Sequence, residues 1–221
     1  LGEFEQGRPL LEFIRNNYPD YRILVSFFSP SGYEIRKGYA GADIVCYLPL
    51  DGAKAAKKFI DIVEPDLVLW IRYEFWYHYL KQLKARKVPV ILVSALFRGS
   101  EPFFRWYGHL HRYMLGCFNQ VFVQNNESSG QLSAIGFTTA IVSGDTRYDR
   151  VSEIAAQFRP LPEIEQFIAG LPTLVAGSTW PEDEEELDHF ANTSPNTRFI
   201  IAPHEIGEAH LREIEQLFKY S

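Results

Sequence analysis

Leu67-Val68-Leu69-Trp70-Ile71 runs straight into Arg72-Tyr73-Glu74-Phe75-Trp76. Five consecutive apolar residues are too few for a buried helix, and they lack the in-out alternation of a strand with one wet face. They read as a strand covered on both faces, the signature of a parallel sheet. Working outward, runs of the same kind recur at residues 21–28, 43–48, 88–94, 120–124, 140–143, 173–176 and 198–202. Helical patterns fill the intervals, at 4–17, 53–63, 75–86, 103–117, 127–135, 149–157, 182–191 and 205–220. This is the β-α-β rhythm of parallel sheets with helices on both faces, so the expected class is α/β.

The rhythm breaks at Arg159-Pro160-Leu161-Pro162 and restarts at Thr173. Three parts follow: a first Rossmann-like domain at 1–150, a connection at 151–171, and the start of a second α/β domain at 172–221. Two strands and two helices do not close a doubly wound domain. The chain also opens on a helix rather than a strand. The expectation is therefore that a leading strand lies upstream of Leu1 and that the second domain continues past Ser221.

The composition of the 221 residues is 46% hydrophobic, enough for a real core. Cys46 and Cys117 lie far apart in apolar surroundings and read as reduced core residues, neither a disulfide nor part of a zinc site. Net charge is −6, against general nucleic-acid binding. The charge is uneven. Residues 72–112 carry eight Lys and Arg against Glu74 and Glu101, whereas residues 160–190 carry eight acidic residues and no Lys or Arg. No run approaches the ~18 apolar residues of a membrane span. Neither a P-loop nor Gly-x-Gly-x-x-Gly is present, and the six histidines make no metal-ligand spacing, so no metal is expected.

Chemistry is expected at strand tips. Glu3, on the turn into the first helix, is either a base or a residue that complements the helix dipole. Ser29-Pro30-Ser31-Gly32 leaves room for a ligand after the strand at 21–28. Arg72 and Glu74 are charges at a buried tip, costly unless paired or used. Gly177-Ser178-Thr179, opening a helix with Pro181 in its first turn, is suited to an anion. Ala202-Pro203-His204 ends the next strand in the same way.

Taken in order, a set of segments resembles one family, the 3-deoxy-D-manno-octulosonic acid (Kdo) transferases of lipopolysaccharide assembly. They are Leu1-Gly2-Glu3, Ser29-Pro30-Ser31-Gly32, Tyr47-Leu48-Pro49-Leu50-Asp51, Glu64-Pro65-Asp66, Glu74-Phe75-Trp76, Val88-Pro89-Val90 with Ser94-Ala95, Gly144-Asp145-Thr146-Arg147-Tyr148-Asp149, Ala176-Gly177-Ser178-Thr179 with Glu184-Glu185, and Pro203-His204. The resemblance implies a GT-B glycosyltransferase, two Rossmann-like domains across a cleft, transferring Kdo from CMP-Kdo to a lipid A precursor with inversion and without a metal. It implies work at the cytoplasmic face of the bacterial inner membrane, with no nucleic-acid partner. Carried over, Glu3 matches the general base and Glu74 a supporting carboxylate. Ser31 and Gly32 fall on the acceptor side, and Gly177, Ser178, Thr179 and His204 on the donor side. Trp180 stands where many members have His, Asp145 where Asn is common, and Ala202-Pro203-His204 replaces a more basic pattern. A nucleotide-sugar epimerase of the same fold, or a non-catalytic nucleotide-binding module, are the competing readings.

Overall fold

A computed structural model describes residues 2–72 and 74–220. The chain divides into two compact units, Leu1–Gln157 and Phe158–Ser221. Leu1 and Tyr73, each part of a segment quoted above, lie outside the described residues.

The first unit opens with α1 (Gly2–Asn17), followed by β1 (Leu24–Phe27), α2 (Pro30–Arg36), β2 (Ile44–Tyr47) and α3 (Ala53–Val63). Then come β3 (Val68–Ile71), α4 (Tyr77–Ala85), β4 (Val90–Ala95), a 3-10 turn (Pro102–Phe104), α5 (His109–Leu115), β5 (Gln120–Val123), α6 (Asn126–Ala134), β6 (Ala140–Val142) and α7 (Thr146–Ala156). β1 and β2 pair parallel, and β3-β4-β5-β6 form a second parallel sheet in chain order. The second unit holds α8 (Pro162–Ile168), β7 (Thr173–Thr179), α9 (Pro181–Thr193), β8 (Arg198–Pro203) and α10 (Glu208–Leu217), with β7 parallel to β8.

The core sits on the four-stranded sheet. Trp70, Val90, Leu92, Val121 and Val123 pack against Ala56 and Ile60 of α3, Tyr79, Leu80 and Leu83 of α4, and Leu132 of α6. Burial of this kind contributes roughly 1.5–3 kcal/mol for each large apolar side chain. α1 closes on β3 at Gly7, where an added Cβ would stand 3.3 Å from Ile71 Cγ1. The missing Cβ eases the helix-to-strand approach there.

Three local expectations are corrected. The continuous helix at 103–117 is instead a 3-10 turn, a loop and the short α5, because the Arg112 guanidinium donates to the Phe103 and Arg105 carbonyls and folds the chain back on itself. Pro30–Arg36 and Pro162–Ile168, expected from the sequence as a turn and a break, are helices, each with proline in its first turn. Proline's fixed φ and missing N–H suit that position. Cys117 is buried, but Cys46 is only half-buried, since β2 belongs to a two-stranded sheet.

Candidate functional site

At the carboxyl end of β3 the backbone turns left-handed at a non-glycine residue, Arg72, with φ of 67°. Its N–H still bonds the Val93 carbonyl at 3.0 Å, so the kink lies right at the sheet edge. Glu74 follows and is clasped by two indoles. The Trp76 Nε1–H donates to Glu74 Oε2 at 2.8 Å, and the Trp70 Nε1–H donates to the Glu74 carbonyl. Trp76 in turn meets Phe28 edge-on at 4.6 Å, tying this loop to the end of β1.

The loop is also held from a distance. Asp51 accepts hydrogen bonds from the His78 and Tyr79 N–H groups, and the Tyr79 hydroxyl donates to the Pro49 carbonyl at 2.9 Å. The α4 N-terminus has no cap from its own Trp76, so Asp51 supplies one from across 27 residues of chain. Burial, reinforced by the Asp51 charge, pushes the Tyr79 phenol up to about 12, so it stays a donor.

Glu3 lies in the first turn of α1 and is half-buried. Its carboxyl is held above the usual carboxylate range, by burial first and by the Glu74 charge second, against nearby positive charge that includes Arg72. Glu3, Glu74 and Arg72 thus form one electrostatic cluster at the tip of β3. A carboxyl raised by burial and by the charge of a second carboxylate is a candidate for proton transfer.

The turn carrying Glu3 is locked one step further along α1. Gln6 is fully buried. Its carbonyl accepts from the Thr146 hydroxyl at 2.6 Å, and its side-chain amide donates to Asp145 Oδ1 at 3.1 Å. Since Thr146 gives its proton to Gln6, the fully buried Ser94 hydroxyl, 3.1 Å away, donates to Thr146 Oγ1. Ser94 also accepts from the Thr146 N–H at 3.4 Å. Burial works to raise the Asp145 carboxyl, but hydrogen bonds from the Arg147 side chain and N–H and from Gln6 prevail and hold it at about 2. The Gly144–Asp149 segment is therefore a clamp on α1.

Ser31 and Gly32 sit in α2. Ser31 is exposed and its hydroxyl shares a 2.7 Å hydrogen bond with that of Ser29, the α2 N-cap. Gly32 is buried, and a Cβ there would stand 2.8 Å from the Phe27 ring. Packing of α2 on β1 explains that glycine.

In the second unit the tips of β7 and β8 pair. Ser178, left-handed at φ of 61°, sits at a register shift, and its hydroxyl lies 2.9 Å from His204 Nδ1. His204 stacks on Trp180 with ring centroids 4.6 Å apart, so Trp180 has a structural partner in this chain. Gly177 and Ser178 line a shallow cavity of 480 Å³ with Asp183 and Glu186. Thr179 turns the other way. It is buried, and its hydroxyl donates to buried Glu184, which also meets His210 Nε2 at 3.1 Å. Ser178 and His204 are brought together at the surface, whereas the Thr179 side chain supports the turn from beneath.

Among the described residues no group of three or more His, Cys, Asp or Glu is placed to hold a metal ion, and no helix is long and apolar enough to cross a membrane. Sequence reasoning missed the roles of Asp51, Gln6, Thr146 and Ser94. The Gly144–Asp149 segment stands out in the sequence, but nothing in it announces a clamp on Gln6 some 140 positions earlier.

The family model and the curated relatives name one group, and the solved structures share its fold. The family described as 3-Deoxy-D-manno-octulosonic-acid transferase (kdotransferase) matches residues 1–150. The chain is 27% identical over 155 residues to a 3-deoxy-D-manno-octulosonic acid transferase of Haemophilus influenzae, covering 67% of this chain and 36% of that one. It is 24% identical over 226 residues to that of Chlamydia trachomatis serovar A, covering 98% and 52%. It thus spans between about a third and a half of these curated relatives. Among solved structures, a UDP-GlcNAc 2-epimerase from Neisseria meningitidis bound to UDP-GlcNAc aligns with TM-score 0.64 at 13% identity, over 99% of this chain and 67% of that one. A putative UDP-N-acetylglucosamine 2-epimerase from Listeria monocytogenes aligns with TM-score 0.65 at 12% identity, over 96% and 62%. At such identities the likeness is one of fold, GT-B type α/β with parallel sheets.

Proposed function

The chain belongs to the 3-deoxy-D-manno-octulosonic-acid transferase family, and from that premise we propose that the protein it represents transfers Kdo from CMP-Kdo to a sugar hydroxyl of a lipid A precursor, with inversion and without a metal. The observation that carries this reading is the half-buried Glu3 carboxyl, raised by burial and by Glu74 and standing within the family-matched span.

In this scheme Glu3 removes the proton of the acceptor hydroxyl, and the freed oxygen pair forms a bond to the anomeric carbon of Kdo. The bond from that carbon to the cytidylate phosphate oxygen breaks, and the electron pair leaves with CMP. Glu74, pinned by the two tryptophans, keeps the base from ionising too readily and fixes its surroundings. Ser31 and the α2 start lie on the acceptor side. The Gly177 and Ser178 turn and His204 supply donors to the leaving phosphate, with Thr179 and Glu184 bracing the turn. Phosphate leaves readily, so one base with anion-holding donors is a sufficient set.

We place the reaction at the cytoplasmic face of the inner membrane. Trp106 is 87% exposed, and Tyr107, Leu110 and Tyr113 are exposed around it. Lys84 lies 5.3 Å over the Tyr113 ring and Lys81 5.6 Å over Tyr77. Exposed aromatics flanked by lysines and Arg105 suit an interface of anionic lipid, at about 1 kcal/mol for each basic residue near the surface.

The test is incubation of the full-length protein with CMP-Kdo and a lipid A precursor, wild type beside Glu3→Ala. Kdo-bearing lipid from wild type and a fall of about 10²–10⁴-fold in Glu3→Ala are expected for loss of a general base. Absence of product from wild type overturns the transferase reading. Undiminished activity in Glu3→Ala overturns the base alone.

A further inference from the structure

The tips of β7 and β8 belong to a closed ring of contacts, and its far member, His210, has no part in the transfer scheme above. The His204 N–H donates to the Thr179 carbonyl at 2.9 Å. The Thr179 hydroxyl donates to Glu184 Oε1 at 2.9 Å, and His210 Nε2 lies 3.1 Å from the same oxygen. That oxygen accepts, so Nε2 carries its hydrogen and donates to it. The chain from His204 to Ala209 completes the ring.

This last segment is held by its ends. Residues 204–209 are all exposed, Ile206 to 78%, and His210 is the first to turn back inward. The His204 N–H fixes one end and the His210 ring the other. Glu184, between them and Thr179, is itself anchored. It is 2% exposed in the first turn of α9, and its N–H donates to the Trp180 carbonyl at 3.0 Å. The other ring nitrogen of His210, Nδ1, lies 3.6 Å from Glu213 Oε2 in the same helix, so the imidazole is oriented from both sides.

The ring of contacts encloses the Ser178 and His204 pair. A serine in the left-handed region persists where its surroundings determine it. Thr179, next in the chain, is gripped at both its hydroxyl and its carbonyl. Loss of the His210 donor leaves buried Glu184 short of a partner and loosens that grip. The 2.9 Å approach of the Ser178 hydroxyl to His204 Nδ1 depends on it.

We propose that His210 is a positioning residue. Through Glu184 and Thr179 it presents the Ser178 hydroxyl and the His204 ring together, to one bound phosphate group. That this phosphate is the donor's leaving group rests on the transferase reading, whereas the positioning does not.

The test follows the His204 ring and amide signals by nuclear magnetic resonance in the full-length protein carrying isotope-labelled histidine. Both are expected to shift in His210→Ala and to return toward wild type in His210→Gln, whose side-chain N–H can reach Glu184. Thr179→Val cuts the same chain at its other end and is expected to shift them too, so the outcome does not depend on His210→Ala folding. Glu213→Gln, which removes only the second contact of the His210 ring, is expected to leave them in place. In the transfer assay the KM for CMP-Kdo is expected to rise about fivefold or more in His210→Ala with the KM for the lipid acceptor unchanged, and His210→Gln recovers part of the loss. Unmoved His204 signals in both His210→Ala and Thr179→Val overturn the proposal. So does a fall in melting temperature and kcat with the KM for CMP-Kdo unmoved, which would make His210 a fastener of α10. Shifted signals in a wild type that transfers no Kdo leave the positioning and remove the transferase, and unmoved signals with transfer intact do the reverse.

Discussion

β4 and β7 end in the same backbone device and use it for opposite purposes. Each has a register shift at its carboxyl end, between Leu92 and Ala95 in β4 and between Gly177 and Thr179 in β7. Each places a serine there in the left-handed region, Ser94 at φ of 53° and Ser178 at 61°. That conformation costs an ordinary residue about 1–2 kcal/mol, and glycine would avoid it. Serine at both places means that the hydroxyl matters. Ser94 is fully buried, and its hydroxyl joins the chain through Thr146 to Gln6 that holds the α1 turn bearing Glu3. The exposed Ser178 hydroxyl meets only the exposed His204 ring among the hydrogen bonds described. One bulge re-aims a side chain inward to brace the α1 turn that bears Glu3. The other re-aims one outward, where a ligand can reach it.

The same substitution at both bulges breaks or sharpens this contrast most strongly. Ser→Gly relieves the left-handed strain and loosens the unfolded chain equally at the two sites, so those terms cancel. What remains is the hydroxyl. Ser94→Gly removes the donor to Thr146 Oγ1 and the acceptor of the half-buried Thr146 N–H, while the Thr146 hydroxyl keeps its bond to Gln6, and is expected to destabilise the first unit by about 1–3 kcal/mol. Ser178→Gly is expected to stay within about 0.5 kcal/mol, because water replaces the hydroxyl. Urea unfolding of the two variants measures the difference. Equal losses at the two sites would show that the contrast between bracing and presenting is wrong.

The bulges also mark where the sequence stops being legible. Apolar, β-rich runs are enough to locate the described strands, most plainly β4, which is buried along nearly its whole length, and α3 falls on the expected residues 53–63. The candidate tips stand out because glycine, serine and charge cluster where an apolar run ends. A left-handed serine has no such signature, since nothing distinguishes it from a serine in an ordinary turn. Asp51 and the Asp145–Thr146 clamp are hidden for another reason. Each acts on a segment far along the chain, His78 in one case and Gln6 in the other, and only the folded sheet brings them together. Thr179 looks identical in chemistry to Ser178 in a Gly-Ser-Thr string. The bulge at Ser178 separates the two, turning the Thr179 hydroxyl inward to Glu184.

A smaller effect probes the bracing side through pH. The Asp145 carboxyl lies at about 2 against an ordinary 3.8, so the folded state binds its proton less readily than the unfolded chain. Its contribution is complete above about pH 4 and is lost as pH falls through about 2. Asp145→Asn removes the charge and with it this dependence. Wild type and variant are expected to differ most above pH 4 and to converge toward pH 2, with the variant the less stable. Melting curves across that range check the sign, and a difference that grows on acidification would overturn the clamp.

The smallest effect has the opposite sign and tests what the bracing is for. Glu3 is held above its ordinary range, so in the window between the unfolded value of 4.5 and its folded value the native state binds the proton more readily. Its contribution to stability is present below pH 4.5 and declines as pH rises through the folded value. At neutral pH an ionised Glu3 beside Glu74 therefore works against the fold, and Glu3→Gln is expected to melt slightly higher than wild type at pH 7 and no higher at pH 4. Such a substitution would stabilise the first unit while abolishing the proposed proton transfer, the trade-off expected of a functional carboxylate. If Glu3→Gln instead lowers the melting temperature at pH 7, Glu3 is a helix-start residue complementing the α1 dipole, and the clamp through Gln6, Thr146 and Ser94 holds a helix rather than a base.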